Sequence, residues 1–113
     1  MAQKRIPKRL LPHRNASVQR YRGQTGVRKV YGAAEPIERC QVVLKRRVLR
    51  SADEVTHIST MQVHLDGTQI AAPPVESLVT VHTGTPHERT SRVLSVELYD
   101  DPDTYSVLVL NLE

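Results

Sequence analysis

The sequence predicts an all-β domain, a small barrel or sandwich of about six strands, and three observations lead there. Apolar and polar residues alternate with a period of two in several segments, which is the spacing of a strand with one buried face. Phe and Trp are absent and only four Tyr are present, so Val and Leu must carry the core. Val in particular suits a pleated, half-buried surface. No stretch of useful length holds a helical period, and turn-forming residues separate the alternating runs at short intervals. At 113 residues there is room for one domain and one modest core, enough to bury about two-thirds of the unfolded surface.

Residues 1–12 read as a basic N-terminal arm. Pro7 and Pro12 push the residues before them toward extended geometry, and such an arm is expected to be ordered only where a partner holds it. Residues 13–113 form the single β domain. Its first strand falls at 16–22, after which Gly23, Gly26 and Gly32 punctuate a flexible connection. A second strand follows at 37–45, where Glu38, Cys40, Val42 and Leu44 alternate with Ile37, Arg39, Gln41 and Val43. Residues 45–54 have no strand pattern. Lys45, Arg46, Arg47 and Arg50 lead and Asp53 and Glu54 close, over about twice the length of an ordinary hairpin link. A long inter-strand loop is expected there.

Alternation returns at 55–66, with Met61, Val63 and Leu65 on one face and Gln62 and His64 on the other, and Asp66-Gly67 signals a turn. Pro73-Pro74 breaks the chain before a short strand at 78–83, and residues 83–87 read as a hairpin loop. A strand at 92–99 places Leu94, Val96 and Leu98 together. After the Asp100-Asp101-Pro102-Asp103 turn, 105–112 is nearly continuous in apolar residues and is expected to be central.

Charge is split between the halves. Residues 1–50 hold 14 Lys or Arg against Glu35 and Glu38, a net of +12. Residues 51–113 hold Arg89 and Arg92 against ten acids, a net of −8, and the two sum to +4. Such asymmetry points to nucleic acid, a membrane surface or an acidic protein surface. It also suits head-to-tail contacts in which the basic part of one copy meets the acidic part of the next. A single cysteine, Cys40, gives no internal disulfide, and no apolar run reaches signal-peptide or membrane-spanning length. A soluble protein made in the cytoplasm is expected, in which the Asn15-Ala16-Ser17 sequon is incidental.

Catalysis finds no support in the residues. There is no nucleophile elbow, phosphate loop or glycine-rich dinucleotide signature. The acids at 100–103 sit around a proline as a solvated turn, and Cys40 on a strand is a small buried hydrophobe. The five histidines match no zinc-ligand spacing: His57 and His64 fall on opposite faces of one strand, and His82 and His87 flank a turn. Neither cofactor nor metal is expected. The binding candidates are two cationic groups: Lys4, Arg5, Lys8 and Arg9 with Arg14 in and just after the arm, and Lys45, Arg46, Arg47 and Arg50 in the loop. Their clustering without aromatic neighbours argues against sequence-specific single-strand recognition. Contacts to phosphate would add salt dependence without reading sequence.

In the order and spacing of its elements the chain resembles the head-closure (stopper) proteins of long-tailed bacteriophages. Leu11-Pro12-His13 precedes a strand with Val18, Arg20 and Tyr21, and Arg39-Cys40-Gln41-Val42 precedes the basic connection. Thr60-Met61-Gln62-Val63-His64-Leu65 leads through Pro73-Pro74 to Leu78-Val79-Thr80-Val81. A hairpin then joins Arg92-Val93-Leu94-Ser95-Val96, the Asp101-Pro102 turn and the last apolar strand. The similarity spans roughly residues 10–113. It departs from the family where Glu76-Ser77 replaces Gly-Asp and where Pro102-Asp103 replaces Pro-Gly.

The resemblance implies a non-enzymatic virion protein at the head–tail junction, with a barrel-like domain assembled as a ring, expected to be a dodecamer. The ring would lie between the portal or adaptor proteins and the tail tube or tail terminator. The 45–54 loop would face packaged DNA in the channel, and the arm would grip an adjacent ring. An adaptor or tail-terminator subunit of the same neck is the nearest alternative, although adaptors in such necks are usually helical. A small basic RNA-binding β-barrel protein is the other. No membrane is among the expected partners.

Overall fold

The computed structural model describes residues 6–50, 56–100 and 105–113. Apart from one 3₁₀ turn at Lys8–Leu10, the elements are all strands: β1 (Ala16–Gln19), β2 (Tyr21–Thr25), β3 (Arg28–Tyr31), β4 (Glu35–Ile37), β5 (Cys40–Arg50), β6 (Thr56–Asp66), β7 (Leu78–Val81), β8 (Arg89–Asp100) and β9 (Ser106–Leu112). The all-β expectation holds, with nine strands among the described residues where about six were expected. Seven form one antiparallel sheet in the order β4-β1-β7-β8-β9-β6-β5, and β2 and β3 form a separate pair.

The sheet curls into a half-barrel because one face is aliphatic along nearly every strand. Val18, Ile37, Val63, Leu65, Val79, Val93, Leu108, Leu110 and Leu112 are at most 2% exposed on that face. Strand β9 sits between β6 and β8, pairing Leu110 with Val63 on one side and Val96 on the other. It is central, as its near-continuous apolar run predicts. The ends of the sheet meet at one place. His13, just ahead of β1, bridges Cys40 at the start of β5 through paired backbone bonds of 2.8 and 2.9 Å. The Val42 amide also donates to His13 Nδ1 at 3.0 Å. At the corner between β4 and β5, the side-chain oxygen of Gln69 accepts from the Glu38 amide at 2.6 Å.

Three expectations are corrected. The 45–54 segment is not a loop over its first six residues: Lys45–Arg50 continues β5, pairing Arg47 with Ser59, Val48 with Ile58, Leu49 with His57 and Arg50 with Thr56. Its remainder, 51–54, lies outside the described residues. The strand was masked by a bulge. Leu44 faces Met61 and Arg47 faces Ser59, so Lys45 and Arg46 together oppose Thr60. The extra residue shifts the alternation by one and erases the period-two signal.

The glycine-punctuated connection, in turn, contains the β2–β3 hairpin. Its two-residue link, Gly26-Val27, has glycine at φ +63°, a conformation that suits the first position of a tight hairpin turn. Both strands are largely exposed and therefore carry no apolar alternation. Finally, the described part of the arm is already held by its own chain. Leu11 is buried, the Ile6 amide donates to Asp66 Oδ2 at 2.9 Å, and Arg39 Nε donates to the Leu11 carbonyl at 2.9 Å. Residues 1–5 lie outside the described set.

Candidate functional site

The fold gives the cationic residues of β5 a position the linear reading did not provide. Strand β9 pairs with β6 only from Met61 to Asp66, whereas β5 accompanies β6 back to Thr56. The distal part of the β5–β6 hairpin therefore runs past the end of β9 by about five residues, roughly 16 Å at strand rise. Its base is anchored. Ser59 Oγ, wholly buried, donates to the Leu112 carbonyl at 2.9 Å, and Arg89 Nη2 donates to Thr60 Oγ1 at 2.9 Å. Beyond that base Val48 and Ile58 are 66% and 44% exposed, and Leu44, opposite Met61 just before it, is 77% exposed. Lys45 and Arg46 are exposed at the bulge, while the backbone pairing places Arg47 and Arg50 further out on the same strand.

The two cationic groups read from the sequence are not brought together. Of the arm residues, Lys4 and Arg5 lie outside the described set, Lys8 opens the 3₁₀ turn and Arg9 is exposed beside it. That turn leads to Leu11 and Arg39 at the Cys40 end of β5, whereas Lys45, Arg46, Arg47 and Arg50 occupy the opposite half. A third basic surface went unrecognised: Arg22 and Arg28 are exposed on the β2–β3 hairpin, whose tip carries Val27 at 98% exposure. A two-residue link between exposed strands was the signal for it.

Part of the charge split is spent inside the molecule. Arg20 pairs with Glu35 at 2.7 Å, and Glu76 is shared between Lys29 at 2.8 Å and Arg92 at 3.2 Å. The Lys29 ammonium, through its hydrogen bond, and then the nearby Arg92 hold the Glu76 carboxyl below the usual range. Partly exposed pairs of this kind add little stability; the Lys29–Glu76 pair ties the β2–β3 hairpin to the segment before β7. Lys45 and Arg46 have no such carboxylate partner among the described residues.

Two further clusters were not legible in the sequence. On the outer face of β6, β9 and β8, Gln62 Nε2 donates to Asn111 Oδ1 at 2.9 Å. Asn111 Nδ2 in turn donates to Ser95 Oγ at 2.9 Å and Glu97 Oε2 at 3.2 Å. His64 shares this ladder through Gln62 Oε1 at 3.2 Å, and burial lowers the pKa of its imidazole. At the end of the barrel from which the β5–β6 hairpin projects, a cavity of about 400 Å³ is lined by His13, Val42, Leu44, Met61, Val81, His82, His87 and Arg89. The His13 and His82 rings meet edge to face at 5.3 Å, and burial followed by the His82 charge lowers the pKa of His13.

Among the described residues, no group of three or more His, Cys, Asp or Glu is placed to hold a metal ion. Cys40 is wholly buried in the seam, and burial pushes its thiol up to about 11. Reaction requires the thiolate, so iodoacetamide at pH 8 is expected to leave native Cys40 unmodified and to label it fully in denaturant. Labelling of the native protein at the rate of a free thiol would mean that the seam between His13 and Cys40 stands open in solution.

No family model, no curated protein and no solved structure matches the chain.

Proposed function

We propose that this chain is a non-enzymatic structural subunit of a phage neck, a stopper that forms a ring between the portal or adaptor and the tail tube or terminator. The β5–β6 hairpin carries the reading. A two-stranded arm anchored by Ser59 and Arg89 runs past the end of β9 and bears Lys45, Arg46, Arg47 and Arg50 on one strand. In a ring each copy contributes one arm to the axis, and many weak contacts to DNA phosphates converge. A stiff two-stranded arm suits this role better than a free loop, because less conformational entropy is lost when it closes the channel. The all-β fold favours the stopper over a helical adaptor.

The RNA-binding alternative is less well supported. Among the described residues the one strongly exposed aromatic is Tyr99, at 58%, which lies on β8 away from the cationic hairpin. A stacking platform would need aromatics beside the bases. The test pairs solution mass, alone and with RNA, with electron microscopy of assembled necks. A protein that ignores RNA and occupies a ring beneath the portal is expected. Tight RNA binding by a monomer absent from particles would overturn the reading. In particles, replacing Arg46, Arg47 and Arg50 by Ser is expected to leave folding intact and to lower the fraction retaining their genome several-fold. Undiminished retention would remove the hairpin's gating role.

A further inference from the structure

The two ends of the barrel expose different apolar features. Strand register sets their directions: β6 runs from the projecting hairpin toward Asp66, and β9 returns from Val107, opposite Asp66, to Leu112, opposite Met61. The β8–β9 end at Asp100 and Ser106 is thus at the pole opposite the β5–β6 hairpin. At the hairpin pole lies the 400 Å³ mouth. Val42, Leu44, Met61 and Val81 supply apolar walls, its ionisable lining is three imidazoles and Arg89, and no carboxylate is among the lining residues. At the other pole β8 ends in Leu98 and Tyr99, 54% and 58% exposed, followed by exposed Asp100. Strand β8 carries no Lys or Arg after Arg92, so Asp100 closes it without a cation on the same strand beside it.

We propose that the occupant of the mouth is a second copy of this chain, which seats the Leu98–Tyr99–Asp100 end of its β8 over Leu44, Met61 and Arg89. The contact is heterologous, joining one pole to the other, and a heterologous contact is the kind that generates a closed ring when its rotation closes. Apolar side chains covering Leu44 and the cavity supply the association energy, and pairing of Asp100 with Arg89 fixes the orientation. The inference deepens the ring reading, on which it rests for its setting. It assigns the copy-to-copy interface and leaves the distal hairpin free for the channel.

Two full-length variants test the contact, one with Leu44→Cys and one with Tyr99→Cys, both at exposed positions and with buried Cys40 retained. Mixed and treated with a short bis-maleimide, they are expected to give crosslinked heterodimers well above the yield of either variant alone. Sedimentation equilibrium of the unmodified chain should show self-association, weakened at least tenfold by the Leu98→Ser/Tyr99→Ser pair. Asp100→Arg should also weaken it, with recovery when Asp100→Arg chains carry Arg89→Glu as well. Circular dichroism checks that each variant is folded.

Heterodimers no more abundant than homodimers would overturn the assignment. So would a linkage confined to single chains in a Leu44→Cys/Tyr99→Cys double variant, which would mean that the chain fills its own mouth. The two readings fail separately. Linked copies with no chain in particle necks would overturn the virion role alone; necks that contain the chain but never link positions 44 and 99 would overturn this interface alone.

Discussion

Replacing Leu110 by Ala is expected to cost roughly 2–5 kcal/mol, from a total stability on the order of 5–15 kcal/mol for a domain of this kind. Leu110 is wholly buried at the middle of β9, opposite Val63 on β6 and Val96 on β8. The core contains no Phe or Trp that could swing into the vacated space. Its neighbours are β-branched Val side chains with restricted χ1, which relax poorly into a cavity. The variant should therefore fall toward the upper part of that range. Thermal unfolding should move down by on the order of 10–20 °C. A shift of only a few degrees would show that the barrel closes around the hole, and hence that its core is looser than the burial implies.

The second large effect is Asn111→Asp, a change of one atom that nearly preserves shape. Asn111 is fully buried, accepts from Gln62 and donates to Ser95 and Glu97. An aspartate there keeps the bond from Gln62 but replaces an amide donor with an anion facing the Glu97 carboxylate. Burial and the like charge both raise the folded-state pKa of the new acid above its unfolded value of about 3.9. The sign follows from linkage: the unfolded chain releases this proton more readily, so stability falls as pH rises from about 4 through the folded pKa. A deficit on the order of 3–5 kcal/mol is expected at neutral pH, shrinking as the acid is protonated. Urea titrations of the variant and the unmodified chain at pH 7 and pH 4.5 measure it. Equal deficits at the two pH values would mean that charge is not the cause.

The sequence was most readable where one face of a strand is dry and the other wet. Strand β6 shows this, with Met61, Val63 and Leu65 buried in alternation, as does the apolar run of β9. It was least readable where the period is broken or has nothing to report. The bulge at Lys45 and Arg46 shifts the phase of β5, so a paired strand looked like a loop. The β2–β3 strands are largely exposed and leave no apolar alternation. Of the candidate site, the cationic residues of β5 were legible by composition, but their mounting on a stiff hairpin was not. The polar ladder around Asn111 and the mouth at His13 and His82 depend on register and curvature, which bring residues 49 and 69 positions apart into contact. Neither can be read from local spacing.

The exposed margin of β5 bears on how the chain avoids aggregation. A long strand at the rim of a sheet offers a row of backbone donors and acceptors to any other extended chain, the usual template for fibrous aggregation. Past the His13 bridge, the described residues place no strand along that margin of β5. The two residues at the bulge spoil the template twice over. They put two positions against one, so a second flat strand cannot stay in register along the edge, and they carry like charges that a stacked copy would have to bring together. The feature that concealed β5 from pattern reading thus also works against copies of the chain zipping into a fibre along this edge.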